Sequence, residues 1–245
     1  MPRLFFHHLI IKYMSTLLII SLAPVAIIAF YIYNRDLYDK EPVKLLLRGL
    51  LWGALVCFPA SFIEQFLIQF SSSPFYEAFV VAGFTEEILK YLALYFLIWK
   101  NKEFNEKFDG IVYGVYVALG FAGLENIMYV MEGGVGTAIS RALTAVPAHA
   151  IFGLTMGYYF GMAKFDEKNR TSYIFKSIII PIILHGLYDY CLMTSYTWLT
   201  SLFIPYVIFL WIHAFKKLKS VEQIPLDENE NEDDNYRGQR WIIKP

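Results

Sequence analysis

Residues 83–96 read GFTEEILKYLALYF. Leucine, isoleucine, alanine and aromatic side chains suit this stretch to lipid, yet Glu86, Glu87 and Lys90 stand in its middle. An ionisable side chain at the centre of a membrane helix costs at least ~2.5–3.5 kcal/mol on insertion scales. Such groups face a protein interior or a wet cavity, and by default they mark function.

The surrounding chain is a membrane sequence. Of its 245 residues 57% are hydrophobic and 18% aromatic, with a mean hydropathy of +0.44. A soluble domain carries about 45–50% apolar residues. A net charge of −1 argues against nucleic acid as a partner. The two cysteines, Cys57 and Cys191, both lie in apolar runs. They read as packing residues, not as a disulfide framework or a thiolate metal site.

Seven apolar runs follow one another, at roughly 16–33, 45–70, 75–99, 109–131, 142–163, 174–193 and 197–215. A spanning helix needs about 20 such residues. The fold class expected is therefore all-α, a polytopic transmembrane bundle of about seven spans. Residues 1–219 form one membrane domain, and 220–245 an acidic, disordered, cytosolic tail. The first run lacks a small-residue cleavage site and ends in FYIY, so it reads as a span and not as a cleaved leader. Basic residues cluster at the first, third and fifth connections and after the last run, while the fourth carries only Arg141. The positive-inside rule then puts the N-terminus outside and the C-terminus in the cytosol.

Buried polar residues recur along these runs. They are Glu86, Glu87 and Lys90 in the third, Glu125 and Asn126 in the fourth, His149 in the fifth, and His185 and Asp189 in the sixth. At a rise of about 1.5 Å per residue, Glu86 lies roughly 15 Å below the outer surface, Glu125 about 9 Å, His149 about 10 Å and His185 about 12 Å. Four spans thus carry polar groups to one layer in the outer half of the bilayer. Lys90 follows Glu86 by four residues and Glu87 by three, so it reaches either carboxylate. Asp189 follows His185 by four and is placed to hold one tautomer of that imidazole. Pro147 and Pro181 are expected to interrupt the ladders before the two histidines. GIVYG (110–114) and GLTMGYYFG (153–161) are small-residue patterns that allow close helix packing.

Each feature has a plainer reading. Glu86 with Lys90 makes a structural ion pair, His149 a satisfied core histidine, Asn126 interhelical glue and His213 an interfacial residue. Glu64, in the second run, either pairs with a polar neighbour or lines a cavity entrance. Taken together, three carboxylates, an amide and two imidazoles at one depth form a candidate hydrolytic centre.

EEILK, FDGIVYGVYVALGFAGLEN, PAHAIFG and HGLYD occur in this order on successive runs. They resemble the motifs of the PrsW family of intramembrane proteases, distant relatives of the type II CAAX prenyl proteases. The resemblance covers roughly residues 75–195. It implies Glu86, Glu87, Glu125, His149 and His185 as active-site residues; Lys90, Asn126 and Asp189, read from depth and spacing, stand in support. It also implies a single-span membrane substrate of the anti-sigma-factor type, cut on its extracytoplasmic side.

Both lines point to peptide hydrolysis, with one of Glu86 and Glu87 activating water. Asn126 and the histidines would hold the oxyanion or protonate the leaving amine. A metal version is equally open: His149, His185 and Glu87 are adequate ligands for a divalent ion such as Zn²⁺. Other classes that keep charges in the membrane are a proton- or ion-coupled transporter and a non-catalytic sensor. The repeats usual in the former are missing from the sequence.

Overall fold

The computed structural model describes residues 2–36 and 39–221, with side chains from residue 12 onward. The acidic tail from residue 222 lies outside the described residues. Regular structure among the described residues is wholly helical. It comprises α1 (Pro2–Arg35), α2 (Val43–Leu67) and α3 (Pro74–Tyr76), then a π-helical stretch (Glu77–Phe84) running into α4 (Thr85–Ile98). α5 (Lys107–Leu143), α6 (Ala145–Phe165), α7 (Arg170–Met193), α8 (Thr197–Ser201) and α9 (Phe203–Ser220) complete the bundle. The seven apolar runs map onto seven helical columns, the third being α3–π–α4 and the last α8–α9. Segments 12–35, 43–67, 107–165 (α5 with α6) and 170–193 are long and apolar enough to cross a membrane. The third column, divided into helical stretches of 3, 8 and 14 residues, and the last column fall outside that group. Ile19, Phe62, Phe96 and Trp198 are exposed on the outer faces, which suits lipid and not water.

α5 is the central post. Every residue from Phe108 to Gly123 is buried. α1 and α2 pack on one side of it and α6 on the other. The two glycine patterns face each other across the α5–α6 contact. A methyl group on Gly110 or Gly114 would run into the backbone of Gly157 or Gly153. Small residues there let the backbones approach as close packing in lipid requires.

Three local features depart from the sequence reading. α6 starts at Ala145, so Pro147 sits in its first turn, where the amide it lacks would have no intrahelical partner anyway. Pro147 therefore does not open a ladder in mid-span. Pro181 lies inside α7, which stays helical through it although the proline has no amide to donate to the Ser177 carbonyl. The fourth column runs on past residue 131 to Leu143 through a sharp bend at Gly134. Gly134, with φ of 70°, is the single positive-φ position among the described residues. An L side chain is strained in that conformation, so glycine suits the bend. Beyond it the arm Val135–Leu143 doubles back, and Ala138 packs with Leu17 and Val130.

Candidate active site

The third column carries Glu86 and Glu87 in the first turn of α4, directly after the π-helical stretch. At the junction the Thr85 hydroxyl donates to the Val80 carbonyl five residues back, at 3.3 Å. Gly83 meets α7 closely: a Cβ on it would stand 3.1 Å from the Ile182 carbonyl oxygen and 3.2 Å from the Gly186 amide nitrogen. The contact brings the start of α4 against the turn of α7 that holds His185. π-helical turns are frequent at functional sites because they re-aim the side chains that follow.

Glu86, Glu87, Lys90, His149 and His185 meet in one buried cluster, each no more than 5% exposed. Lys90 Nζ donates to Glu86 Oε2 at 2.9 Å and to Glu87 Oε1 at 2.8 Å. It also lies 3.0 Å from His149 Nδ1 and 4.2 Å from the centre of the Phe121 ring. His185 Nδ1 is 2.9 Å from Glu87 Oε1. Glu86 Oε2 stands 4.0 Å from His149 Nδ1 and 3.9 Å from His185 Nδ1. The gap is too long for a direct hydrogen bond and close to equal on both sides.

The two histidines are arranged alike. Each turns Nδ1 toward the glutamate pair and Nε2 toward an outer carboxylate. His149 Nε2 is 2.9 Å from Glu125 Oε2, and His185 Nε2 is 3.2 Å from Asp189 Oδ2. The Asp189 contact is the one its spacing predicts. In the neutral ring, an outer carboxylate that accepts a hydrogen bond from Nε2–H keeps the proton there and leaves Nδ1 bare, which is the ligand form of a histidine.

The donor set fits a divalent cation. One atom each from Glu86, Glu87, His149 and His185 can be chosen so that all lie within 4.8 Å of one another. Glu87 Oε2 is buried with no hydrogen-bond partner. With the Nε2–H tautomer, Nδ1 of His185 would face Glu87 Oε1 as acceptor against acceptor, a contact that a cation between them would relieve. Glu86, Glu87, Glu125 and Asp189 are four carboxylates around two fixed cations, Lys90 and Arg141. With both imidazoles and Glu64 neutral, one divalent ion balances the centre. Uncompensated charge in a low-dielectric interior is strongly destabilising, so the balance bears on fit.

The remaining residues take outer places. Glu125 touches the far side of His149 and not the glutamate pair. Asn126 is committed on both ends of its amide: Nδ2 donates to the Ser21 carbonyl at 2.9 Å and Oδ1 accepts from Arg141 Nε at 3.0 Å. The bond to Ser21 ties α5 to α1. Glu64, on α2, has a buried Oε1 with no partner and interacts electrostatically with Glu86, Glu125, His185 and Lys90. Arg141, counted in the sequence only as a loop cation, reaches Glu125 Oε2 at 2.8 Å. Its one signal was being the single basic residue between two motif-bearing runs.

The family described as PrsW family intramembrane metalloprotease matches residues 41–214. The chain is 41% identical over 211 residues to Protease PrsW of Geobacillus kaustophilus, which covers 85% of this chain and 93% of the relative. It is 38% identical over 213 residues to Protease PrsW of Halalkalibacterium halodurans, covering 86% and 99%. The protein of that name from Bacillus subtilis is 38% identical over 207 residues, covering 83% and 94%. No solved structure matches the chain significantly. With a helical membrane bundle and a buried glutamate–histidine cluster between its spans, the chain belongs to the PrsW family of intramembrane metalloproteases.

Proposed function

We propose that this membrane protease cuts a single-span regulatory protein, of the anti-sigma-factor type, near the outer side of the cell membrane. The observation that carries the reading is the inward pair of Nδ1 atoms on His149 and His185, each backed by a carboxylate, beside Glu86 and Glu87. In this reading His149, His185 and Glu87 hold a divalent ion such as Zn²⁺, which supplies Lewis acidity toward a peptide carbonyl. Glu86, with roughly equal gaps to both imidazoles, takes the proton of the attacking water and returns it to the leaving amine. Lys90 holds the two glutamates at fixed positions through its paired hydrogen bonds. Asp189 and Glu125 fix the imidazole tautomers.

The orientation proposed is N-terminus outside, with the tail 220–245 in the cytosol. It is motivated by Lys216, Lys217 and Lys219 after the last span and by the basic first, third and fifth connections. The polar layer then opens to the outer half of the bilayer. A helix hides its peptide bonds in its own ladder, so the substrate must be locally extended where it is cut. Helix-breaking residues near the outer end of the substrate's span, or loss of its outer domain, should therefore speed cleavage. Mass spectrometry of the product termini tests the proposal. The expected cut lies in the outer third of the span; a cut at the cytosolic end would overturn the orientation and with it the assigned layer.

A further inference from the structure

We propose that Arg141 is a positioning residue of the reactive centre, delivered by the bend at Gly134 to hold Glu125 and, through it, the imidazole of His149. The proposal rests on the reading of His149 as part of that centre. On a straight helix, Arg141 would stand roughly 24 Å along the axis from Glu125. The left-handed backbone at Gly134 instead folds the arm Val135–Leu143 back along α5.

The guanidinium then grips two consecutive residues. Nη2 donates to Glu125 Oε2 at 2.8 Å, and Nε donates to Asn126 Oδ1 at 3.0 Å. The group lies 4.1 Å from the centre of the Tyr129 ring, one turn further on. Asn126 is itself tied to the Ser21 carbonyl of α1. The oxygen that Arg141 holds, Glu125 Oε2, is the one 2.9 Å from His149 Nε2. Arginine's planar fork can engage both acceptors in one geometry, which the point charge of lysine does not do. An imidazole whose Nε2 partner is fixed keeps Nδ1 toward Glu86 and Lys90. One whose partner can swing is free to exchange tautomers or flip.

The alternative is an ion pair that only pins the arm. The two roles separate in full-length protein in lipid bilayers, comparing wild type with Arg141→Met, Arg141→Lys, Glu125→Ala and the Glu125→Ala/Arg141→Met double variant. Arg141→Met is expected to lower kcat about 10–100-fold with KM unchanged, as loss of outer partners does. In metal-stripped protein, the 15N resonances of His149 should pass from one tautomer to a mixture while those of His185 stay put. Arg141→Lys should recover only part of the loss. In the Glu125→Ala background, Arg141→Met should have no further effect. If Arg141→Met leaves Glu125 unpaired and the chain does not fold, the double variant against Glu125→Ala alone still decides. A lowered melting temperature with kcat and the His149 spectrum unchanged would overturn the proposal, as would additive losses in the double variant. If wild type cuts no substrate, the proteolytic reading fails while the imidazole spectrum still judges the latch.

Discussion

Glu86→Gln should lower cleavage by about 10²–10⁴-fold, the usual contribution of a general base. Gln keeps the shape of Glu86, and Lys90 retains its 2.8 Å partner in Glu87, so the bundle should fold and insert as before. The variant should also keep its bound metal, since Glu86 is assigned to the water and not to the ion. Glu87→Gln should lose activity by another route, losing metal as well. Comparing product formation with metal content in the two variants separates the roles. Glu86→Gln cleaving at more than a tenth of the wild-type rate would remove Glu86 as the base.

Lys90→Met should be the most damaging single change to the metal-free protein. The ammonium is 1% exposed and lies within 3.0 Å of Glu86, Glu87 and His149. Removing it leaves two adjacent buried carboxylates without their shared cation. Breaking a buried pair from one side costs about 3–5 kcal/mol. A divalent ion among the same oxygens restores positive charge and stabilises only the folded form. The gap in melting temperature between Lys90→Met and wild type should thus be large in chelator and smaller with saturating metal. A gap of the same size in both conditions would mean that no ion binds where these carboxylates converge.

The seven columns were legible because apolar runs of spanning length leave little choice in lipid, where every backbone group must be satisfied within a helix. The residues read at one depth do touch: Lys90 bonds to Glu86 and Glu87 and lies beside His149, and His185 lies beside Glu87. The i,i+4 step from His185 to Asp189 told which carboxylate backs that imidazole. The partner of His149 was hidden, because Glu125 is 24 residues away and reaches it only through the α5–α6 packing. The bend was hidden as well. EGGVG offers Gly133, Gly134 and Gly136, and nothing in their order marks Gly134 as the left-handed one. Without the bend, Arg141 is a loop cation and Asn126 Oδ1 has no guanidinium to accept from. The π-helical stretch before Glu86 left no mark either, since eight residues of EAFVVAGF carry no polar periodicity to shift.

The most direct test is stoichiometric reconstitution. Purified protein is stripped with chelator, placed in lipid bilayers with a single-span substrate, and titrated with Zn²⁺. Cleavage should be absent at zero metal, rise in proportion to metal bound and level off at about one ion per chain. The His149→Asn/His185→Asn variant should neither bind the ion nor cut. Full cleavage by the stripped wild type, with no metal bound, would contradict the account.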